Sequence, residues 1–118
     1  MEQVLLFTIG FTQRGAKDFF TTLKQHRVQK IIDVRLNNVS QMAGFTKRSD
    51  LCYFLENLCD CKYVHRTTWA PTQELLDDYR SKTVGWNKYK EIFLDILHER
   101  QIETETNIDD LNNSCLLC

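Results

Sequence analysis

Residues 30–35 read Lys-Ile-Ile-Asp-Val-Arg, and this stretch decides the fold. The apolar run within it predicts a buried strand over residues 30–34. Two charged residues, Asp33 and Arg35, stand at the end of that strand. Side chains two positions apart on a strand point to the same side of the sheet, so these two charges are expected to lie together. The stretch therefore predicts a core strand with charged chemistry at its tip.

Three further apolar runs have the length of strands. Residues 4–9 (VLLFTI) end before Gly10, residues 61–65 end at His65, and residues 115–118 (CLLC) close the sequence. Apolar residues at helical steps of three and four lie between these runs. The predicted helices cover residues 16–25, about 51–58, about 72–79 and about 86–100. Alternating strands and helices predict a three-layer α/β fold, with a mostly parallel sheet of about four strands and helices on both faces.

Local signals refine the helices. Ser49 or Asp50 is expected to cap the second helix, and Thr72 to cap the third. The polar stretch over residues 103–114 is expected to be a loop. In the last long helix, Trp86, Tyr89 and Phe93 repeat at helical spacing and are expected to face the core.

Composition limits the class of protein. The 118 residues fit a single domain over 1–118, and 42% of them are hydrophobic. The formal net charge is −1, so a nucleic-acid partner would need a local basic patch. No apolar run is long enough to span a membrane, and the first residues do not resemble a signal peptide. We therefore expect a cytoplasmic protein with no membrane partner.

The five cysteines are expected to be reduced thiols. Cys59 and Cys61 are too close in sequence for the usual zinc knuckle, so we expect no metal ligands and no cofactor. Cys52 and Cys59 share a helical face and are interpreted as small core residues. The final pair, Cys115 and Cys118, is interpreted as part of a last buried strand beside the Asp33 loop rather than as a redox motif.

Three segments follow predicted strands, where parallel sheets collect their functional groups. After the first strand, Gly10 and Arg14 belong to a short turn that either binds an anion at a helix start or simply reverses the chain. After the second strand, Asp33 and Arg35 either form a structural salt bridge or grip a substrate between them. After the third strand, His65 is either a general acid–base group or a structural residue.

The loop after the second strand is rich in uncharged hydrogen-bonding groups. They suit a polar ligand, and they suit an ordinary solvated loop as well. These groups belong to Asn37, Asn38, Ser40 and Gln41.

The segments TIGFTQR, IDVRLNNVSQMAGF, YVHRTTWAPT and the W-x-x-Y pair at residues 86–89 resemble the domain-of-unknown-function 488 family over almost the whole chain, in order. The resemblance implies a small α/β domain of bacteria, archaea and phages, with no settled activity. The positions that match the family's pattern are Gly10, Thr12, Arg14, Asp33, Arg35, Ser40, Gly44, Phe45, Tyr63, His65 and Pro71.

Two departures from the family pattern matter. Many members have a proline in the loop where this chain reads LNNVS. Members that resemble this chain also continue, after a CLLC-type strand, into an acidic residue and a Cys-His-Arg motif. The sequence stops at Cys118 before such a motif, so the resemblance implies a domain truncated at its C-terminus.

Three functions remain open from the sequence. The first is an enzyme for a small anionic or nucleotide-like substrate, with Asp33, Arg35 and His65 as catalytic residues and an arginine anion clamp. The second is a non-catalytic module that binds a ligand or nucleic acid, and the third is an inactive remnant of the enzyme. Self-association is also expected, because a chain that ends in a core strand can leave a strand edge unpaired.

Overall fold

The fold is an α/β sandwich around one parallel sheet. A computed structural model describes residues 4–10, 14–37, 45 and 47–118. The strands are β1 Leu6–Ile9, β2 Lys30–Asp33, β3 Lys62–His65 and β4 Ser114–Leu117. They lie in the order β1-β4-β2-β3, and every neighbouring pair is parallel. The predicted fold class is confirmed, and the sheet is parallel throughout its described strands.

In the described part of the chain, five α-helices and the short 3-10 segments over residues 67–69 and 108–111 connect the strands. The helices are α1 Ala16–Gln25, α2 Arg48–Cys59, α3 Gln73–Arg80, α4 Trp86–Glu99 and α5 Ile102–Glu105, and the 3-10 segments are Thr67–Trp69 and Ile108–Leu111. The prediction of a loop over residues 103–114 was wrong, since α5 and the second 3-10 segment occupy much of it. Polar side chains stabilise these short turns, as when Asn107 accepts a hydrogen bond from the Asp109 backbone N–H. Such turns leave no apolar periodicity to detect.

The connections define two faces of the sheet. The connection from β1 to β2 and the connection from β2 to β3 run in the same direction across the sheet. They contain α1 and α2, and these two helices pack on each other. The path from β3 to β4 runs back the other way, so right-handed crossovers place its helices on the opposite face. The connection that leaves β2 therefore lies on one face of the sheet, and the connection that leaves the neighbouring strand β3 lies on the other. In open parallel sheets, such a switch point is where ligands bind.

The main core lies between the sheet and the α1–α2 layer. Its fully buried side chains include Phe19, Ile31, Leu51, Leu55 and Leu117. The predicted apolar stripe of α2 is only partly buried, because Leu51 and Leu55 are inaccessible while Leu58 is 50% exposed.

The helix starts test the predicted caps. The Thr72 hydroxyl accepts a hydrogen bond from the Leu75 backbone N–H at 3.2 Å, which confirms its role as the cap of α3. The capping prediction for α2 was wrong, because that helix begins at Arg48, before Ser49 and Asp50, without a side-chain cap. At its other end, Asp60 adopts a left-handed conformation, which Asp tolerates better than most residues.

Helix α4 lies further from the core than its periodicity predicted. None of its residues is fully buried, and Trp86 is 58% exposed. The predicted core position of Trp86 was therefore wrong. Its apolar face packs on α3, where the Tyr79 and Tyr89 rings have centroids 4.8 Å apart. Periodicity reports an apolar face, but it does not say how much of that face a neighbour covers.

The last strand lies inside the sheet. Strand β4 pairs with β1 on one side and with β2 on the other, so it leaves no unpaired edge of its own. The reason given above for self-association does not hold, and the strand edges of the described sheet belong to β1 and β3. No helix in the described part of the chain is long and apolar enough to cross a membrane.

Two leucines of α2 provide a matched test of this core. Leu55→Ala removes a fully buried side chain, and we expect it to lower the free energy of unfolding by about 2–5 kcal/mol. Leu58→Ala removes a half-exposed side chain from the same helix, and we expect a loss below about 1 kcal/mol. Urea denaturation followed by circular dichroism measures both values. Equal losses would contradict the described packing of α2.

Candidate functional site

The centre of the site is the carboxylate of Asp33, at the tip of β2. Its side chain has no exposed surface. Arg35 donates to it three times, from its backbone N–H and Nε to Oδ1 and from Nη2 to Oδ2, at 2.9–3.1 Å. The Tyr63 hydroxyl donates to Oδ2 at 2.6 Å. Asp33 and Arg35 thus form a buried ion pair, and the carboxylate is the acceptor in each of these four hydrogen bonds.

The sheet brings these groups together. Asp33 and Arg35 are two residues apart in sequence, and they form the salt bridge predicted as one of two alternatives. Tyr63 lies on β3 and is paired in register with Ile31 of β2, two residues before Asp33. Its hydroxyl contacts the Asp33 carboxylate on the neighbouring strand. The network therefore ties the loop after β2 to the neighbouring strand.

These contacts decide the charge of Asp33. Burial alone would raise its pKa, because a charge is costly to remove from water. The hydrogen bonds from Arg35 and Tyr63, with the charge of the guanidinium, outweigh burial and hold the pKa of Asp33 below its usual value of 3.8. Asp33 is therefore an ionised acceptor near neutral pH, not a general acid.

His65 ends β3 beside this network, in register with Asp33. Its Nε2 lies 2.8 Å from the backbone oxygen of Arg35. A carbonyl oxygen only accepts hydrogen bonds, so this contact assigns the proton to Nε2. In the neutral ring, Nδ1 is then the basic nitrogen. The backbone of the next residue also takes part, since the Arg66 N–H donates to the Asp33 carbonyl at 2.9 Å.

An arginine follows each of the first three strands. Arg14 contacts Asp18 and Thr22 on α1, at 3.1 and 3.4 Å. Arg66 lies over the ring of Trp69, with its guanidinium carbon 4.8 Å from the ring centroid. Arg66 forms no ion pair with any described residue. Arg66 is therefore a further cation at the tips of the strands.

The loop after β2 also contacts α3. The Asn37 side-chain amide donates to Oε1 of Gln73 at 3.3 Å. Gln73 is the first residue of α3, and it was not predicted as a site residue. Its position after Pro71 and the Thr72 cap was the available signal, since these residues fix where the helix starts.

Three other predicted site residues lie apart from this network. Phe45 packs its ring against Phe19 and Phe20, with centroids 5.5 and 5.9 Å away, and so belongs with the α1–α2 core. Gly10 is exposed, and Pro71 is half-buried. The remaining predicted positions, Thr12, Asn38, Ser40, Gln41 and Gly44, lie outside the described residues.

The negative charge of Asp33 affects two cysteines. Burial, and then the negative charge of Asp33, raise the pKa of Cys118. Burial also raises the pKa of Cys52 on α2, and the Asp33 charge adds to that rise. The prediction that Cys118 is a buried strand residue was wrong, because it lies just after β4 and is exposed.

The other cysteines behave as core thiols to different degrees. Cys61 and Cys115 are buried, and burial raises the pKa of each to about 12. Cys52 and Cys59 are half-buried, so their predicted core positions are only partly correct. Within the described residues, no group of three or more histidines, cysteines and carboxylates could hold a metal ion.

A cleft of about 810 Å³ lies beside β3 and is lined in part by Cys52 and Tyr63. Its charged lining consists of Glu56, Asp60 and Lys62. Two carboxylates against one ammonium group disfavour an anion there. The arginines that follow the first three strands lie outside this cleft.

Comparison with known families matches residues 15–118 to the family described as Domain of unknown function DUF488. The match covers most of the chain, and the chain belongs to this family. Searches of curated proteins and of solved structures gave no match.

Replacing the buried carboxylate tests the network. Asp33→Asn leaves the Arg35 guanidinium without its anion, and we expect a loss of about 3–5 kcal/mol in the free energy of unfolding at about pH 7. The control is Asp18→Asn, because Asp18 pairs with Arg14 but is 65% exposed. We expect that change to cost less than about 1 kcal/mol.

The lowered pKa of Asp33 predicts that the stability difference between wild type and Asp33→Asn depends on pH. The pKa of Asp33 is lowered by folding, so its contribution is present above the usual value of 3.8 and is lost as pH falls through the folded-state pKa. Urea denaturation at several pH values should show the difference between wild type and Asp33→Asn narrowing in acid. A difference that stays constant down to about pH 2 would contradict the assigned ionisation.

Thiol alkylation tests the cysteine assignment. At about pH 8, the folded chain should react with iodoacetamide faster at Cys118, which is exposed, than at Cys61 and Cys115, because those two thiols are buried and burial raises the pKa of each to about 12. Mass spectrometry of the digested protein locates the modification, and a urea-unfolded sample provides the fully reactive control. Modification of folded Cys115 as fast as Cys118 would refute the assignment.

Proposed function

We propose that this chain binds a small anionic, nucleotide-like ligand across the carboxyl ends of β2 and β3 and acts on it by general acid–base chemistry. The observation that carries the proposal is the fully buried carboxylate of Asp33, held by Arg35 and Tyr63 at this edge of the sheet. The same edge is the point where the helical connections change face.

Stability alone is a weak reason for this network. Removing two charges from water costs several kcal/mol per ion, and well-packed apolar residues often replace a buried ion pair without loss. A carboxylate and a guanidinium at a strand tip also lie where ligands of parallel sheets bind. A positioning role for the pair accounts for both its chemistry and its location.

The residues divide into three roles. His65 is the acid–base group, because imidazole exchanges protons near neutral pH and its Nε2 is anchored to the Arg35 carbonyl. Arg66 supplies positive charge for the ligand, supported by Arg35. Asp33 is a positioning residue, because it orients the Arg35 guanidinium and, through Tyr63, the adjacent strand.

Ligand binding is tested by thermal denaturation with a panel of nucleoside mono-, di- and triphosphates and inorganic phosphate. A ligand at about 100 times its Kd stabilises the folded state by about 2.7 kcal/mol, which raises Tm by roughly 10 °C. Arg66→Gln should abolish the rise. Lys62→Gln removes one charge from the opposite end of β3 and should keep it. A panel that never raises Tm would rule out the small anionic ligand.

Turnover is tested separately with any ligand that binds. Mass spectrometry should show conversion by the wild type, and His65→Asn should bind with a similar Tm rise but convert at least about 100-fold more slowly. A pH–rate profile should lose one limb in that variant. Binding with no conversion by the wild type would identify the second candidate, a ligand-binding module.

A further inference from the structure

The turn between α3 and α4 carries a concentrated positive charge. Residues 79–90 read YRSKTVGWNKYK, with four cations, three aromatic residues and no carboxylate. The whole chain has a net charge of −1, so this segment departs sharply from the average. Its four cations are Arg80, Lys82, Lys88 and Lys90. We call residues 79–90 the turn surface.

Three aromatic rings form a connected group on this surface. Trp86 and Tyr89 are nearly parallel, with centroids 5.8 Å apart and an interplanar angle of 18°. Tyr79 contacts both rings, at 6.1 and 4.8 Å. Trp86 is 58% exposed and Tyr79 is 40% exposed. Large ring faces are therefore available to solvent beside the cations.

Three of the four cations form no ion pair with a described residue. Among described residues, Lys88 pairs with Glu91 at 3.7 Å, while Arg80, Lys82 and Lys90 take part in no ion pair. Asp77 lies in the last turn of α3, but it accepts from Gln73 on the side toward the strand tips. Arg80 follows Tyr79 directly in sequence, and its charge offsets part of the rise that burial, and then Tyr79, cause in the pKa of Tyr89.

We infer that the turn surface binds single-stranded nucleic acid, with bases stacking on the exposed rings and phosphates contacting Arg80, Lys82 and Lys90. Exposed aromatic faces interleaved with cations are what sequence-tolerant binding of single strands uses. A membrane surface fits less well, because insertion needs several aliphatic side chains and the turn surface has only Val84, which is half-buried.

The turn surface and the strand-tip site stand at opposite ends of α3. Gln73 begins this helix and contacts Asn37 from the loop after β2, while Arg80 ends it. Eight residues at 1.5 Å each span about 12 Å. A strand of a few nucleotides can cover that distance. The inference stands on the turn surface alone and does not depend on the proposed function.

Fluorescence anisotropy with a labelled oligothymidine of about 20 nucleotides tests the inference. We expect binding to the wild type at low salt, with log Kd rising with log salt by about 2 for three phosphate contacts. Trp86→Ala should weaken binding roughly 5- to 150-fold, and Trp86→Phe should recover most of that loss. Because Trp86 is exposed, both variants should keep the Tm of the wild type within a few degrees.

A charge-matched pair of triple variants separates a specific surface from general attraction. Arg80→Gln, Lys82→Gln and Lys90→Gln together should remove binding and its salt dependence. Lys17→Gln, Lys24→Gln and Lys62→Gln change the net charge equally at exposed positions elsewhere and should preserve both. Equal losses in the two triple variants would overturn the inference.

Two competing partners give distinct outcomes. Polyglutamate that binds as tightly as the oligonucleotide, with no effect of Trp86→Ala on either, would show only attraction to polyanions. Vesicles of anionic lipid that bind through Trp86, while the oligonucleotide does not bind, would show a membrane surface. Either result would overturn the assignment to nucleic acid. Ligand binding at the strand tips is measured by Arg66→Gln, so the two proposals fail independently.

Discussion

The position of β4 in the middle of the sheet is the constraint on which the other elements depend. Strand β1 is joined to the rest of the sheet through β4, in a register that pairs Leu6 with Ser114. The sheet therefore closes only when the two ends of the chain meet, a non-local step that is costly in chain entropy. Strand β4 also supports the loop after β2, because the Leu117 carbonyl accepts from the Val34 N–H. The geometry around Asp33 thus depends on residues far from it in sequence.

The fold class was predictable because burial leaves a periodic record. The apolar runs that became β1, β2 and β4 and the stripe containing Leu51 and Leu55 reflect the same physical requirement, that one face of each element avoids water. No comparable pattern in the sequence indicates the order of the strands in the sheet. A buried strand has the same composition in the centre of a sheet whichever neighbours it has, so the sequence predicted strand 115–118 without predicting that it separates β1 from β2.

The site was predictable to the same extent. The two-residue spacing placed Asp33 and Arg35 on one side, and their ion pair followed from opposite charge. The contact from Tyr63 required the register of β3 against β2, and the contact between Asn37 and Gln73 required the path of α3. Exposure was the hardest property to predict. Trp86 lies on an apolar helical stripe and Cys118 follows two leucines, yet Trp86 is 58% exposed and Cys118 is exposed.

The distribution of charge now has a physical interpretation. A chain with almost no net charge still concentrates cations on the turn surface and has an arginine after each of the first three strands. At the strand tips, Asp33 neutralises Arg35 inside the fold, whereas Arg66 forms no ion pair with any described residue. On the turn surface, Arg80, Lys82 and Lys90 remain exposed to water and form no ion pair with described residues. A buried ion pair fixes the local geometry, and salt screens it only weakly. Exposed cations attract anions over longer distances, and salt weakens that attraction.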